Sequence, residues 1–539
     1  MGRILLASTR ILGEAMIEDG ERDDRETIAA FEDTPLRRVI RALRGDPPAT
    51  YALTRSAIAR GLAVIYLSAF LVAANQAVPL IGEEGLLPAS WYLDDLRFHF
   101  GSTFAAFLQR PSLFWISASD PAIGAVAWTG VVLSVAALVG VSHPALFFSL
   151  WLLQLSFVHV GQVFWGYGWE TLLLEAGFLA IFLYPLRGVR PVSERARSPA
   201  AMIWLYRWLL FRVMFGAGLI KLRGDPCWTE LTCLDFHFET QPIPNPLTPL
   251  FDGLPHWVLA GGVLFNHFVE LIVPFMYFGP RRVRTFAGLA TIAFQLVLVF
   301  SGNLSWLNWL TIFIALSCFD DDTLRRLVPR RLKWRDSATP DPSRLHRRVV
   351  LVLVVAVLML SVVPTVNLFS TRQLMNASFD RLHLVNTYGA FGSINRVRHE
   401  VVLEGTHAAA DAPDSEWRAY ELPCKPGDVD VVPCVVSPYH RRLDWQLWFA
   451  ALGDYEREPW IVRLCWLLLE GSDAPMPLFA NDPFPDEPPR FIRARLFEYH
   501  LTGRFGPWYR REPVAEYLRP MSRDDPEVLE FLEAYGLKR

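Results

Sequence analysis

A lysine that ends an apolar helix is a candidate base. In "GAGLIKLRGDPCWTELTC" (216–233), Lys221 follows some twenty mostly apolar residues that already hold Arg207 and Arg212, and a Gly-Asp-Pro turn and two cysteines come after it. An amine partly desolvated beside another cation has a lowered pKa and can take a proton near neutrality. Further polar residues interrupt neighbouring apolar stretches: His159, Glu170 and Glu175, then Asn266, His267 and Glu270. In a catalytic reading Lys221 is the base of an outer-leaflet cavity, with His159, Glu170, His267 and Glu270 as its candidate partners. Two structural readings compete. Lys221 is a snorkelling lysine at a helix end, and Arg212 forms an ion pair with Glu270 or Glu175 that ties helices together. An ionisable group at membrane depth costs several kcal/mol unless it is paired or wetted, so all of these side chains must face an interior or a water-filled cavity.

The elements that would position them are membrane helices. The 539 residues are 52% hydrophobic and only 20% charged, oilier than a soluble enzyme. Apolar runs long enough to cross a bilayer recur near 61–81, 121–141, 144–164, 199–220, 256–279, 285–301 and 349–369, with shorter ones near 171–186 and 304–319. The expected fold is a polytopic α-helical bundle of about nine spans over 57–369, preceded by a cytoplasmic tail (1–56) with one amphipathic helix around 26–44. Arginines at 37–60, 187–197, 281–284 and 325–335 fall on alternate connections, while 82–120 and 222–254 are acidic. This places the N-terminus in the cytoplasm by the positive-inside rule. The aromatic 82–120 loop reads as helices lying at the interface, and 336–345 as a linker into the last span.

Residues 370–539 change character. "HEVVLEGT", "WRAYELPC" and "RFIRARLFEYHLT" have the composition of strands, with two amphipathic helices, "RLDWQLWFAAL" and "PWIVRLCWLLLEG", between them. The expectation is an extracytoplasmic α+β domain with a small sheet or sandwich. Four of the six cysteines fall outside by this topology, as close pairs Cys227/Cys233 and Cys424/Cys434. That suits disulfides in an oxidising space, with free thiols or crossed pairs as the alternatives. The absence of metal-ligand spacing argues against zinc, and no motif calls for a cofactor or a nucleic-acid partner. Trp417, Trp445, Trp448 and Phe449 are candidates for an exposed client-binding surface, against a reading as core aromatics.

"GYGWETLLLEAGFLAIFL" (166–183), "RWLLFRVMFGAGLIKLRGDPCWTELTCLDFHFETQPIPNP" (207–246), "NHFVELIVPF" (266–275), "SGNLSWLNWLT" (301–311), "VNTYGAFGSINR" (385–396) and "PCVVSPYHRRLDWQLWFAAL" (433–452) closely resemble the lipase maturation factor family. The resemblance implies a multi-span protein of the endoplasmic reticulum membrane in animals, which helps dimeric lipases reach their active form and engages an exported client, such as a lipase, through its lumenal C-terminal part. The closing residues "EAYGLKR" carry no KDEL-type signal. With the arginine- and alanine-rich composition, they point to a bacterial inner membrane. A fainter likeness of "AGLIKL" to the vitamin K-dependent γ-glutamyl carboxylase implies an enzymatic role for Lys221, although fold kinship does not carry activity across.

Overall fold

The structure is a computed structural model and describes residues 50–184, 199–327, 343–502 and 507–538. α1 (Ala52–Ile81) is 30 residues long, or roughly 45 Å. α2 (Ala89–Phe100) and α3 (Thr103–Gln109) fill the connection to α4 (Asp120–Leu138). α5 (Pro144–Val160), α6 (Gly168–Ile181) and α7 (Ala200–Arg223) follow, then α8 (Leu234–Thr240) in the 222–254 loop. The helical part closes with α9 (His256–Met276), α10 (Arg281–Ser301), α11 (Leu307–Cys318), α12 (Asp321–Leu327) and α13 (Arg344–Phe369).

Among the described residues, α1, α4, α7, α9, α10 and α13 are the six helices long and apolar enough to cross a membrane. The other three expected spans are helices too, but shorter: α5 has 17 residues and α6 has 14, about 25 and 21 Å. α5 stops because the chain turns at Gly161 into a short 3-10 segment, with Gln162 at positive φ. The tail helix expected at 26–44, the basic residues 187–197 and 330–335, and most of the 336–345 linker lie outside the described residues.

Burial sorts the long helices. Most of α1 and α7 is enclosed, 61% and 72%, whereas α4 and α13 are each 28% buried and turn Trp128, Val132, Leu351 and Met359 outward. The cations of α7 therefore face neighbouring helices. α1 and α6 come close enough that a side chain at Gly177 would collide with the Tyr66 hydroxyl. At the end of the bundle near residue 52, Asp321 accepts from the first backbone N–H groups of α1, where a carboxylate suits the helix dipole. There too, Arg281 and Arg284 pair with Asp320.

The C-terminal part builds an antiparallel sheet in the order β2-β1-β3-β4: β1 (Arg398–Thr406), β2 (Arg418–Ala419), β3 (Phe491–Leu501) and β4 (Tyr509–Met521). α14 (Arg442–Ala450), α15 (Trp460–Leu469) and α16 (Pro526–Ala534) complete it. Leu464, Leu468, Ile492 and Leu532 are buried in its core. "WRAYELPC" yields only the two residues of β2. β4 has no counterpart in the sequence reading, because Pro513 and alternating charges hide it. Proline is tolerated there because β4 is an edge strand, joined to β3 through register shifts.

This domain rests on the bundle at the end where α1 and α5 finish. Arg463 donates to Gly85 O, and Asn303 to Cys434 O at 2.9 Å. Residues 433–446 go further in: Ser68, thirteen residues before the end of α1, donates to Pro438 O at 3.0 Å, about 20 Å along the helix.

Candidate functional site

A fully enclosed polar contact between the two parts is made by Arg442, the first residue of α14. Its side chain is fully buried. It donates to Glu170 Oε1 at 2.7 Å and to Phe164 O, and its guanidinium lies 3.7 Å over the Trp165 ring. Gln154 donates to the other Glu170 oxygen at 2.6 Å, and Gln76 Oε1 accepts from the Arg442 backbone N–H. Every partner around Glu170 is thus a hydrogen-bond donor, as a fully enclosed carboxyl group requires.

His440, two residues earlier, packs against the rings of Tyr167, Trp169, Trp445 and Trp306, with centroids 4.9–6.0 Å away. Neither of its nitrogens has a hydrogen-bond partner among the described residues. Burial, and then the Arg442 charge, hold its imidazole well below the ordinary range, so it is neutral when folded. The unfolded chain takes up this proton near its ordinary pKa of ~6.5, and the folded chain does not. Stability is therefore fully present above ~6.5 and falls as the pH drops below it. Lowering the pH from 7.5 to 5.5 is expected to lower the unfolding temperature of the detergent-solubilised protein, and His440→Phe to remove part of that dependence. A wild-type and variant pair with parallel pH profiles would refute this.

Arg212 of α7 pairs with Glu175 of α6 and donates to Asn386 O at 2.7 Å. Glu175 Oε2 also accepts from the Tyr388 hydroxyl at 2.8 Å and from the Asn386 backbone N–H at 3.0 Å. Of the two partners left open for Arg212, it is Glu175 that the structure brings to it. Here again a residue pair from beyond α13, Asn386 and Tyr388, closes a charge cluster inside the bundle.

Glu270 goes to Lys221 instead. Lys221 Nζ donates to both Glu270 oxygens, at 2.6 and 2.7 Å, and Asn266 Nδ2 to Oε2 at 3.0 Å. A π-turn at Phe268–Ile272 interrupts α9, and the added residue in that turn brings Glu270 round to α7. Lys221 is buried and does not snorkel. The reason lies in the loop that follows, which folds back over it. Trp228 sits 5.2 Å from Nζ, and its indole donates to Phe391 O, while His267 donates to Trp228 O. Asp225 N–H donates to Gly392 O, an approach so close that a side chain at Gly224 would strike that carbonyl. Asp225 also accepts from Arg396, which holds its carboxyl down to about 2.

The residues read as partners of Lys221 are therefore dispersed. Glu270 meets it, and Glu170 is held by Arg442. His159 donates to Pro111 O at 2.7 Å and faces His383 with ring centroids 5.2 Å apart.

Cys227 and Cys233 lie at disulfide distance, with Cα atoms 4.7 Å apart, as do Cys424 and Cys434 at 5.3 Å, both inside the usual span. The second pair is anchored by Asp444, which accepts from the Cys424 and Lys425 N–H groups and whose carboxyl burial pushes up to about 6. Buried Lys425 and Arg398 both pair with Glu400, and Arg398 reaches the carbonyls of Glu239, Gln241 and Pro242. Of the aromatic residues read as client-binding, Trp417 and Trp445 are buried, Trp417 beneath Arg493. Trp448 is half-buried, its indole donating to Thr240 O, and Phe449 is exposed.

Arg442, His440, Asn386 and Tyr388 escaped the sequence reading of the site because they lie in what reads as a separate outer domain. The available signal was the run of polar residues inside the two segments "VNTYGAFGSINR" and "SPYHRRLDW".

Comparison with known proteins adds an independent line. Residues 53–326 match the model of the lipase maturation factor transmembrane domain, and residues 384–519 that of the lipase maturation factor C-terminal domain. Lipase maturation factor 1 of Bos taurus is 44% identical over 518 residues, covering 90% of this chain and 92% of that protein. The Homo sapiens protein of the same name is 42% identical, covering 88% and 89%. Lipase maturation factor 2 of Xenopus laevis is 31% identical, covering 90% and 85%. No solved structure matches. With both domain models matched in order and identity this high over nearly the whole chain, the protein belongs to the lipase maturation factor family.

Proposed function

We propose that the protein is a multi-pass membrane maturation factor that assists the folding or assembly of an exported lipase and does so as a scaffold. The carrying observation is that Glu170 and Glu270, the carboxylates read as candidate partners of a catalytic Lys221, and Glu175, read as a structural partner of Arg212, are each paired with a buried cation. Two of the three clusters join the C-terminal part to the helices, which is the work of a clamp. In this reading all nine apolar helices lie in the membrane, the shorter α5, α6 and α11 sheltered by their neighbours. The N-terminus is cytoplasmic, and 370–539 faces the oxidising side, the periplasm for a chain read as bacterial. Phe449 and the edge of Trp448 form the client-facing patch. Support for the orientation comes from the alternation of arginine-rich and acidic connections in the sequence and from cysteine pairs at disulfide distance in the part assigned to that side.

The test is co-expression with a dimeric lipase in cells lacking their own maturation factor, measuring secreted lipase activity per lipase protein. An increase over empty vector is expected, and an unchanged specific activity would refute the assignment. Phe449→Ser is expected to lower the gain without changing the unfolding temperature.

A further inference from the structure

We infer that Arg110 and Arg381, with the aromatic shelf beside them, form a site for the phosphate of a membrane phospholipid. The two arginines stand on different segments, just past α3 and in the chain after α13, and are brought together where Arg381 donates to Leu108 O at 3.2 Å. Both are exposed, and neither has a carboxylate partner among the described residues. The nearest acid in sequence, Asp380, is turned away and accepts from the backbone N–H groups of Leu382, Leu384 and Val385. Behind them lie His159 and His383, both at least nine-tenths buried. Nε2 of His159 and both nitrogens of His383 lack a hydrogen-bond partner among the described residues. Burial, and after it the Arg110 charge, hold the His383 imidazole down to about 4.

The surroundings specify what kind of anion. Phe104 is 71% exposed, and Phe107, Leu108, Phe379 and Leu382, on the same two segments as the arginines, also turn outward. This patch continues from the connection between α1 and α4, two helices long and apolar enough to cross a membrane, so it lies where acyl chains give way to headgroups. Aromatic rings favour that depth, and guanidinium groups bind phosphate oxygens through paired hydrogen bonds. A free inorganic anion would satisfy the arginines but leave the rings in water. A phospholipid satisfies both.

Titration of the detergent-solubilised full chain, followed by native mass spectrometry, tests this with dioleoylphosphatidylglycerol, dioleoylglycerol and inorganic phosphate as probes. On the unmodified protein the phospholipid is expected to bind with one equivalent at least tenfold tighter than either of the other two. R110Q/R381Q and Phe104→Ser/Phe107→Ser should each weaken it at least tenfold, and R110K/R381K less. Equal affinity for the phosphate-free diacylglycerol would overturn the site. So would inorganic phosphate binding as tightly as the lipid, or phospholipid affinity unchanged in R110Q/R381Q. All four substituted side chains are exposed, and the three-probe comparison on the unmodified protein decides the matter if a variant fails to fold.

Discussion

Arg442→Ala is expected to destabilise the protein by about 3–5 kcal/mol, the cost of leaving one member of a buried ion pair without the other. Glu170 would retain only Gln154 as a donor, and the bundle would lose the guanidinium that bridges it to α14. Because the change falls where the C-terminal domain enters the helices, the loss should take the form of undocking. The observable is a lower unfolding temperature in detergent together with faster proteolysis between 433 and 446, the segment otherwise held by Gln76, Ser68 and Asn303. Adding Glu170→Gln and replacing Arg442 by Met, so that no charge remains, should recover most of the loss, since paired removal of buried charges is far cheaper than single removal. An Arg442→Ala protein within about 1 kcal/mol of wild type would mean that the pair does not hold the domain.

The second large effect is expected at Lys221→Met, again about 3–5 kcal/mol, because Glu270 would be left buried with Asn266 as its remaining donor. The companion change Glu270→Leu should restore stability in the Lys221→Met background, and alone should be as damaging as Lys221→Met. Strong non-additivity of this kind marks two residues acting as one unit, and thermal unfolding of the four proteins measures it. If the two losses simply add, the pairing is not what makes Lys221 matter.

How far these clusters could be read in advance depends on the range of the physics involved. Spans are local: about twenty apolar residues must be helical in lipid, and each apolar stretch is a helix here. The need of Glu170, Glu175 and Glu270 for partners is local too, because burial of a charge is costly whatever surrounds it. Which partner each takes is not local. Glu270 reaches Lys221 rather than Arg212 through a π-turn in α9 that hydropathy does not register. Arg441 and Arg442 are adjacent and chemically identical, yet one is half-buried and the other fully enclosed, a distinction made only when 433–446 enters the bundle. The tryptophans show the same limit, since Trp445 and Phe449 lie one helical turn apart but face the core and the solvent respectively. β4 escaped because an edge strand need not alternate cleanly.

The most direct test of the scaffold reading is the maturation activity of the Lys221→Met/Glu270→Leu protein, expressed with a dimeric lipase and normalised to the amount of folded factor. A structural pair replaced by apolar side chains leaves the clamp closed, so activity close to that of the unmodified protein is expected. A double variant that folds and docks normally yet yields no active lipase would contradict the scaffold and return Lys221 to the role of a reacting group.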